Sequence, residues 1–171
     1  VAELLTHHSL AELEKAARLA PAPRDFLGQM AKPGIRLIAE VKKASPSAGV
    51  LRNPFIPGEV AKSYADHGAA CISVLTDKDY FQGEAKYLQQ ARDACALPAL
   101  RKDFTLDAYH VYEARAMGAD AVLLIVAARE PALLRDLHAL THELGMDALV
   151  EVHYRAEAET AAALGAPLVG V

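Results

Sequence analysis

Residues 99–127 read ALRKDFTLDAYHVYEARAMGADAVLLIVA, and their pattern decides the fold. A short apolar run opens the stretch and ends on the charges of Arg101, Lys102 and Asp103. A segment of helical period follows over 107–117 and closes on Gly118, where the end of a helix calls for a left-handed residue. Ala121 then begins a second apolar run, too short for a helix and rich in Val, Leu and Ile, as a buried strand is. Strand, helix, glycine, strand is the repeating unit of a parallel sheet.

The same unit recurs on both sides. Strands are expected at 37–43, 71–76, 99–104, 121–127, 148–153 and 168–171, and helices at 57–67, 84–94, 107–117, 130–144 and 155–164. Gly68, Gly118, Gly145 and Gly165 stand just past four of these helices, and Pro98 follows the fifth. Upstream, Ser9 and Glu12 make a capping box for a helix over 9–19, Pro21 and Pro23 stop it, and a second helical piece at Phe26–Met30 ends at Pro33-Gly34. Residues 1–34 therefore read as an N-terminal helical extension and 35–171 as a barrel portion ending in a sixth strand. Even spacing of the units, with no glycine fingerprint after the first strand, favours a closed barrel over an open doubly wound sheet. A (β/α)8 TIM barrel takes eight strands and about 250 residues. The expected fold is thus α/β, an incomplete (β/α)8 barrel.

Composition narrows the function classes. The 171 residues suffice for one domain, and 53% of them are hydrophobic. With 18 Lys+Arg against 22 Asp+Glu, the net charge of −4 gives no basic footprint, so no nucleic-acid partner is expected. No apolar run approaches the roughly 20 residues that span a bilayer. No membrane partner is expected, and the location reads as cytoplasmic. Cys71 and Cys95 form neither a CxxC pair nor a His/Cys cluster, so they are expected to be buried thiols with no metal bound.

Charges inside strand runs are the anomaly that points to chemistry. Strand side chains alternate with period two, so Glu40 and Lys42 share a face, as do Lys102 and Phe104, and Glu151 and His153. Each charge falls at the carboxyl end of its strand, where parallel α/β folds place ligand sites. Two carboxylates and two ammonium groups on one rim are expected to pair with each other. His153 reads as the start of a loop. His67 suits the last turn of its helix, and His7, His8, His110, His138 and His142 read as surface positions. The Ser45-Pro46-Ser47-Ala48-Gly49 loop offers hydroxyls and N–H groups to an anion. Arg101 and Asp103 have the opposite parity to Lys102 and are expected to face the helices in a structural role.

Together, Ile38-Ala39-Glu40-Val41-Lys42-Lys43-Ala44-Ser45-Pro46-Ser47, Ser73-Val74-Leu75-Thr76-Asp77, Tyr80-Phe81-Gln82-Gly83, Leu100-Arg101-Lys102-Asp103-Phe104, Gly118-Ala119-Asp120-Ala121-Val122-Leu123-Leu124-Ile125 and Leu149-Val150-Glu151-Val152-His153 resemble the successive strand motifs of the indole-3-glycerol phosphate synthase family. The resemblance covers nearly the whole chain. It implies closure of 1-(2-carboxyphenylamino)-1-deoxyribulose 5-phosphate to indole-3-glycerol phosphate, with loss of carbon dioxide and water, in tryptophan biosynthesis. No cofactor is implied. By motif match Lys102 is the general acid, Glu151 the acid/base of dehydration and Glu40 the group that orients and polarises the site. Lys42 and Ser45 bind the anionic groups of a phosphorylated small-molecule substrate, and Phe81, Phe104 and Leu123 wall its aromatic ring.

Two departures qualify the resemblance: Ala48 stands where many relatives carry a basic residue, and the family's Asn-Asn-Arg run and last two βα units, with most of the phosphate site, are not in the sequence. The chain therefore reads as a fragment, inactive alone; fusion to, or association with, other tryptophan-pathway enzymes is left open by the sequence. Two rival readings are another phosphate-binding barrel, an isomerase or an aldolase using Lys102 as a Schiff-base nucleophile, and a non-catalytic α/β interaction module.

Overall fold

A computed structural model describes residues 8–171. Its elements, in chain order, are α1 (Leu10–Leu19), α2 (Phe26–Met30), β1 (Ile38–Val41), β2 (Ala44–Ser45), β3 (Gly49–Val50), α3 (Pro57–Asp66), β4 (Cys71–Leu75), α4 (Lys78–Phe81), α5 (Ala85–Ala94), β5 (Ala99–Lys102), α6 (Ala108–Ala116), β6 (Ala121–Ile125), a 3-10 turn (Val126–Ala128), α7 (Pro131–Glu143), β7 (Asp147–Glu151), α8 (Arg155–Leu164) and β8 (Val169–Gly170). Six strands pair in parallel in the order β1-β4-β5-β6-β7-β8, so each neighbour in space is the next βα unit in sequence. The curled sheet is an incomplete (β/α)8 barrel, as the alternation implied.

Local signals explain the boundaries. Ser9 caps α1: its hydroxyl accepts the Glu12 N–H at 3.3 Å, and the Glu12 carboxylate accepts the Ser9 N–H at 2.7 Å. Those contacts from Ser9 hold the Glu12 carboxyl below its usual range. The glycines after α3, α6, α7 and α8 take φ between +75° and +86°, the left-handed turn that only glycine makes without strain. Three elements had no signal in the periodicity: the β2–β3 hairpin, the single-turn α4 and the 3-10 turn. Each is too short to show a repeat.

The main core lies between the sheet and the helices, where Val41, Ile72, Val74, Val122, Leu124 and Val150 meet Leu88, Val111, Leu134 and Leu137. On the other face of the sheet, α2 drives a fully buried Phe26 against Cys71, Leu100 and Ala121. Burial pushes the Cys71 thiol up to about 12 and leaves it inert. Cys95, expected to be buried as well, is only half-buried, its thiol donating to the Ala91 carbonyl at the end of α5.

The amino ends of the strands are tied together by two carboxylates, Asp120 and the half-buried Asp147. Asp120, wholly removed from solvent, accepts from the Arg24 N–H at 2.7 Å, from Arg92 at 2.7 and 3.2 Å and from the Ala99 N–H at 2.7 Å. Arg24 in turn donates to the carbonyls of Arg92, Cys95 and Leu97. Asp147 accepts the Leu27 N–H at 2.8 Å. Arg115 reaches the Ala20 and Pro21 carbonyls from α6.

The histidine expectations are corrected at two positions and untested at a third. His110 is buried and bonded to Asp107 at 3.0 Å, because α6 packs against both α1 and α7 while Val111 and Ala114 enter the core. His138 is half-buried, while His8 and His142 are exposed. His7 lies outside the described residues. His67 caps α3 as expected, its ring Nδ1 at 2.7 Å from the Ser63 carbonyl. No helix among the described residues is long and apolar enough to cross a membrane.

Two outcomes follow from this packing. Asp120→Ala strands the buried Arg92 guanidinium and is expected to cost about 3–5 kcal/mol, read as a fall in the urea midpoint with an unchanged slope. Burial, the dominant influence, lowers the His110 pKa below its ordinary 6.5, against the pull of Asp107, so the fold favours neutral imidazole. The stability this gives is complete above about pH 6.5 and lost as pH falls through the folded value. His110→Gln is therefore expected to flatten the loss of stability between about pH 7 and 5. An unaltered pH profile in that variant would refute it.

Candidate active site

The carboxyl ends of the strands assemble a cup of about 320 Å³. Strand parity and register build it. Leu75 and Lys102 are register partners at the ends of β4 and β5, and Ile125 and Glu151 are partners at the ends of β6 and β7. Glu40, within β1, and Lys42, just past its end, complete the rim and form an ion pair at 2.6 Å. Lys102 Nζ lies 3.7 Å from Glu151 Oε2 across the intervening strand. The two Glu and two Lys thus pair within the rim. Their side chains keep about a third of their surface, 28–35%, in solvent, so each pair contributes roughly 1 kcal/mol or less and exchanges partners readily.

The walls are apolar. Leu123 is buried at the base, Phe81 leans in from α4, and Phe104 follows β5 with much of its ring exposed. Phe81 is placed by Asp77, whose carboxylate caps α4 by accepting the Tyr80 N–H at 2.7 Å. On β4, Ser73 faces its register partner Glu40, and its buried hydroxyl has no partner among the described residues. A larger hollow of about 410 Å³ lies between α7 and α8, but its ionisable groups, Arg135 and Glu159, are exposed and do not converge.

Two assignments change with the geometry, and one holds. Asp103 was expected to face the helices, yet it lines the cup while its carboxylate accepts from the Thr76 hydroxyl at 2.5 Å and from Arg101 at 3.3 Å. It lies one residue past the end of β5, where strand alternation no longer governs direction. Arg101 does point toward the helices, bonding Glu113 at 2.6 Å and the His110 carbonyl at 3.1 Å. Ser45 does not join the cup lining. It sits in the β2–β3 hairpin, where its hydroxyl accepts the Ala48 N–H at 3.2 Å.

His153 begins the loop after β7 as expected, but its ring is also 3.5 Å from Glu151 Oε1 and 3.4 Å from Glu157. Glu151 is therefore held between Lys102 and His153. Of the eight residues singled out from sequence, Glu40, Lys42, Phe81, Lys102, Phe104, Leu123 and Glu151 line one cavity, and Ser45 does not.

Comparison with known proteins bears on this arrangement. The family model for indole-3-glycerol phosphate synthase matches residues 1–171. The chain belongs to that family. It is 54% identical to the indole-3-glycerol phosphate synthase of Polaromonas sp. (strain JS666), a match covering 100% of this chain and 66% of the relative. The indole-3-glycerol phosphate synthase of Burkholderia ambifaria (strain MC40-6) is 58% identical over 86% of this chain and 58% of its own length. The chain thus spans 58–66% of the length of these curated relatives. Among solved structures, the carboxyl transferase domain of Rhizobium etli pyruvate carboxylase with 3-hydroxypyruvate superposes with a TM-score of 0.55 at 14% identity, over 94% of this chain and 29% of that one. Rhizobium etli pyruvate carboxylase T882A, crystallized without acetyl coenzyme-A, gives 0.55 at 15% identity, over 94% of this chain and 17% of that one. These likenesses show the barrel fold alone.

The support beneath the family's rim is open to test. Thr76→Val removes the hydroxyl that bonds both Asp103 and Arg101 and is expected to destabilise the chain by about 1–3 kcal/mol in urea melts, with Asp103→Asn adding little on top because the two share one network.

Proposed function

We propose that this sequence carries the catalytic rim of an indole-3-glycerol phosphate synthase, acting on 1-(2-carboxyphenylamino)-1-deoxyribulose 5-phosphate in tryptophan biosynthesis. The observation that carries the reading is the Lys102–Glu151 contact at 3.7 Å inside an apolar-walled cup that also holds the Glu40–Lys42 pair. Family membership supports it.

The chemistry asks for what the cup supplies. Ring closure forms a carbon–carbon bond to the substrate carbonyl, whose oxygen takes a proton from Lys102, the general acid. Release of carbon dioxide leaves its electron pair in the aromatic ring. The new hydroxyl departs as water while a proton leaves the neighbouring carbon, with Glu151 as the acid/base. Glu40 orients Lys42 and polarises the site, and Lys42 faces the substrate carboxylate and phosphate. Phe81, Phe104 and Leu123 hold the aromatic ring. Every step is redox-neutral, so the scheme calls for no oxidant or reductant, and its proton transfers fall to Lys102 and Glu151. Ser45 contributes to phosphate binding by turning its hydroxyl from Ala48 toward the anion. Two ammonium groups against four carboxylates line the cup, so the phosphate draws its remaining contacts from outside it. A cytoplasmic location and association with, or fusion to, other tryptophan-pathway enzymes belong to the same proposal and rest on the family.

The test is indole fluorescence during incubation with the carboxyphenylamino substrate, in a chain that carries this sequence extended to the length of its relatives. Product is expected, with Lys102→Ala and Glu151→Gln each lowering kcat by about 100-fold or more while the thermal midpoint holds. A folded, extended protein that makes no indole product, or one that borohydride traps on Lys102 as an imine, would replace the synthase reading with that of another phosphate-binding barrel.

A further inference from the structure

The outer face of α7 carries a feature that the cup does not use. His138 and His142 stand four residues apart, one turn above the other on the same side of the helix. Their rings meet edge to face with centroids 4.4 Å apart, and their Nε2 atoms are 3.2 Å apart. We propose that His138 and His142 form a two-point chelate for a divalent transition cation of the zinc, nickel and copper class.

Simple geometry supports this. Imidazole nitrogen binds zinc at about 2.0–2.1 Å, and two such bonds to atoms 3.2 Å apart enclose an N–metal–N angle of about 100°. That lies between the right angle of a square or octahedral site and the tetrahedral angle, so one cation reaches both nitrogens without moving the helix. The two Nε2 atoms already lie within hydrogen-bond distance of each other. In the cation-bound form each neutral ring carries its single proton on Nδ1 and turns its Nε2 lone pair to the metal.

The scaffold fixes the pair in advance. Leu134, Leu137 and Thr141 anchor α7 on the sheet, so the helix is held independently of any ligand. His138 is half-buried and settled by that packing, while His142 is exposed and leaves the entry open. Little conformational freedom remains to be lost on binding. Among the described residues no third His, Cys, Asp or Glu completes a cluster, so water fills the other coordination positions. Two neutral nitrogens favour copper, nickel and zinc and offer nothing to magnesium or calcium, which take oxygen ligands. The pair lies toward the carboxyl end of α7, whereas the cup is built at the carboxyl ends of the strands, which run the opposite way in each βα unit. Binding at α7 therefore leaves the rim groups untouched.

The experiment is a titration of the 171-residue chain with zinc and with nickel, followed by calorimetry and by the imidazole resonances in NMR. One cation per chain is expected, with nickel broadening His138 and His142 before the other histidines. Zinc is expected to raise the thermal midpoint, and magnesium at the same concentration to leave it unchanged. His142→Gln changes an exposed side chain and should leave the metal-free midpoint in place while weakening zinc binding at least tenfold. His138→Gln should weaken it equally. Undiminished zinc binding in His142→Gln, or broadening that starts at His7 and His8 instead, would overturn the proposal.

Discussion

A carboxylate with no access to water and four donors around it sets the frame on which everything else rests. Asp120 stands at the start of β6, and its backbone N–H donates to the Ala99 carbonyl while its side chain accepts the Ala99 N–H. That double tie fixes the start of β5 against the start of β6. Lys102 is only three residues further along β5, a distance over which an extended strand has little freedom, so its position at the rim follows from the tie at the base. The same carboxylate gathers Arg92 from α5 and the Arg24 N–H from the lead-in. An unpaired ion so deep would be strongly destabilising, but with every oxygen satisfied the network locks three segments into one arrangement.

The base and the rim use charge in opposite ways. At the base, the Asp120 carboxylate and the Arg92 guanidinium are nearly sealed from solvent, with 0% and 9% of their side chains exposed. Exchange of partners there would leave a buried charge alone. At the rim, Glu40, Lys42, Lys102 and Glu151 each retain a share of water, so a ligand's carboxylate or carbonyl can take the place of a protein partner. Between these layers the Arg101, Thr76, Asp103 and Glu113 network holds the segment just beyond β5. Rigid ion pairs below and exchangeable ones above are what a proton-transfer site on a barrel asks of its scaffold.

How much of this was legible in the sequence depended on whether a repeat carried it. Strand and helix positions came from periods of two and 3.6, and the ends of the major helices came from glycines that the chain needs at positive φ. Glu40, Lys102 and Glu151 stood out because a charge in a buried strand violates the pattern. The family motifs added Phe81 and Leu123, which no periodicity would single out. What escaped lay where the repeat ends or where two covers overlap. Asp103 sits past its strand, so parity misdirected it. His110 lies on a helix packed from two sides, where a polar residue faces a neighbour whichever way it turns. Ser45 was read as part of an open loop, and a four-residue separation between Ser45 and Gly49 is enough for the hairpin that occupies its hydroxyl.

Glu151 shows how far local geometry reaches into chemistry. One of its oxygens lies near Lys102, and the other near His153, which Glu157 also approaches at the start of α8. A carboxylate approached from both sides favours the orientation that turns one oxygen to Lys102, so its placement in the cup is coupled to the loop that follows β7. The Glu157 carboxylate accepts the His153 N–H at 2.7 Å, which anchors that loop to α8. Placement of the proposed acid/base therefore depends on a helix outside the cup. In a (β/α) unit this is expected, because the loop joining strand to helix is both the wall of the site and the first turn of the element that braces it.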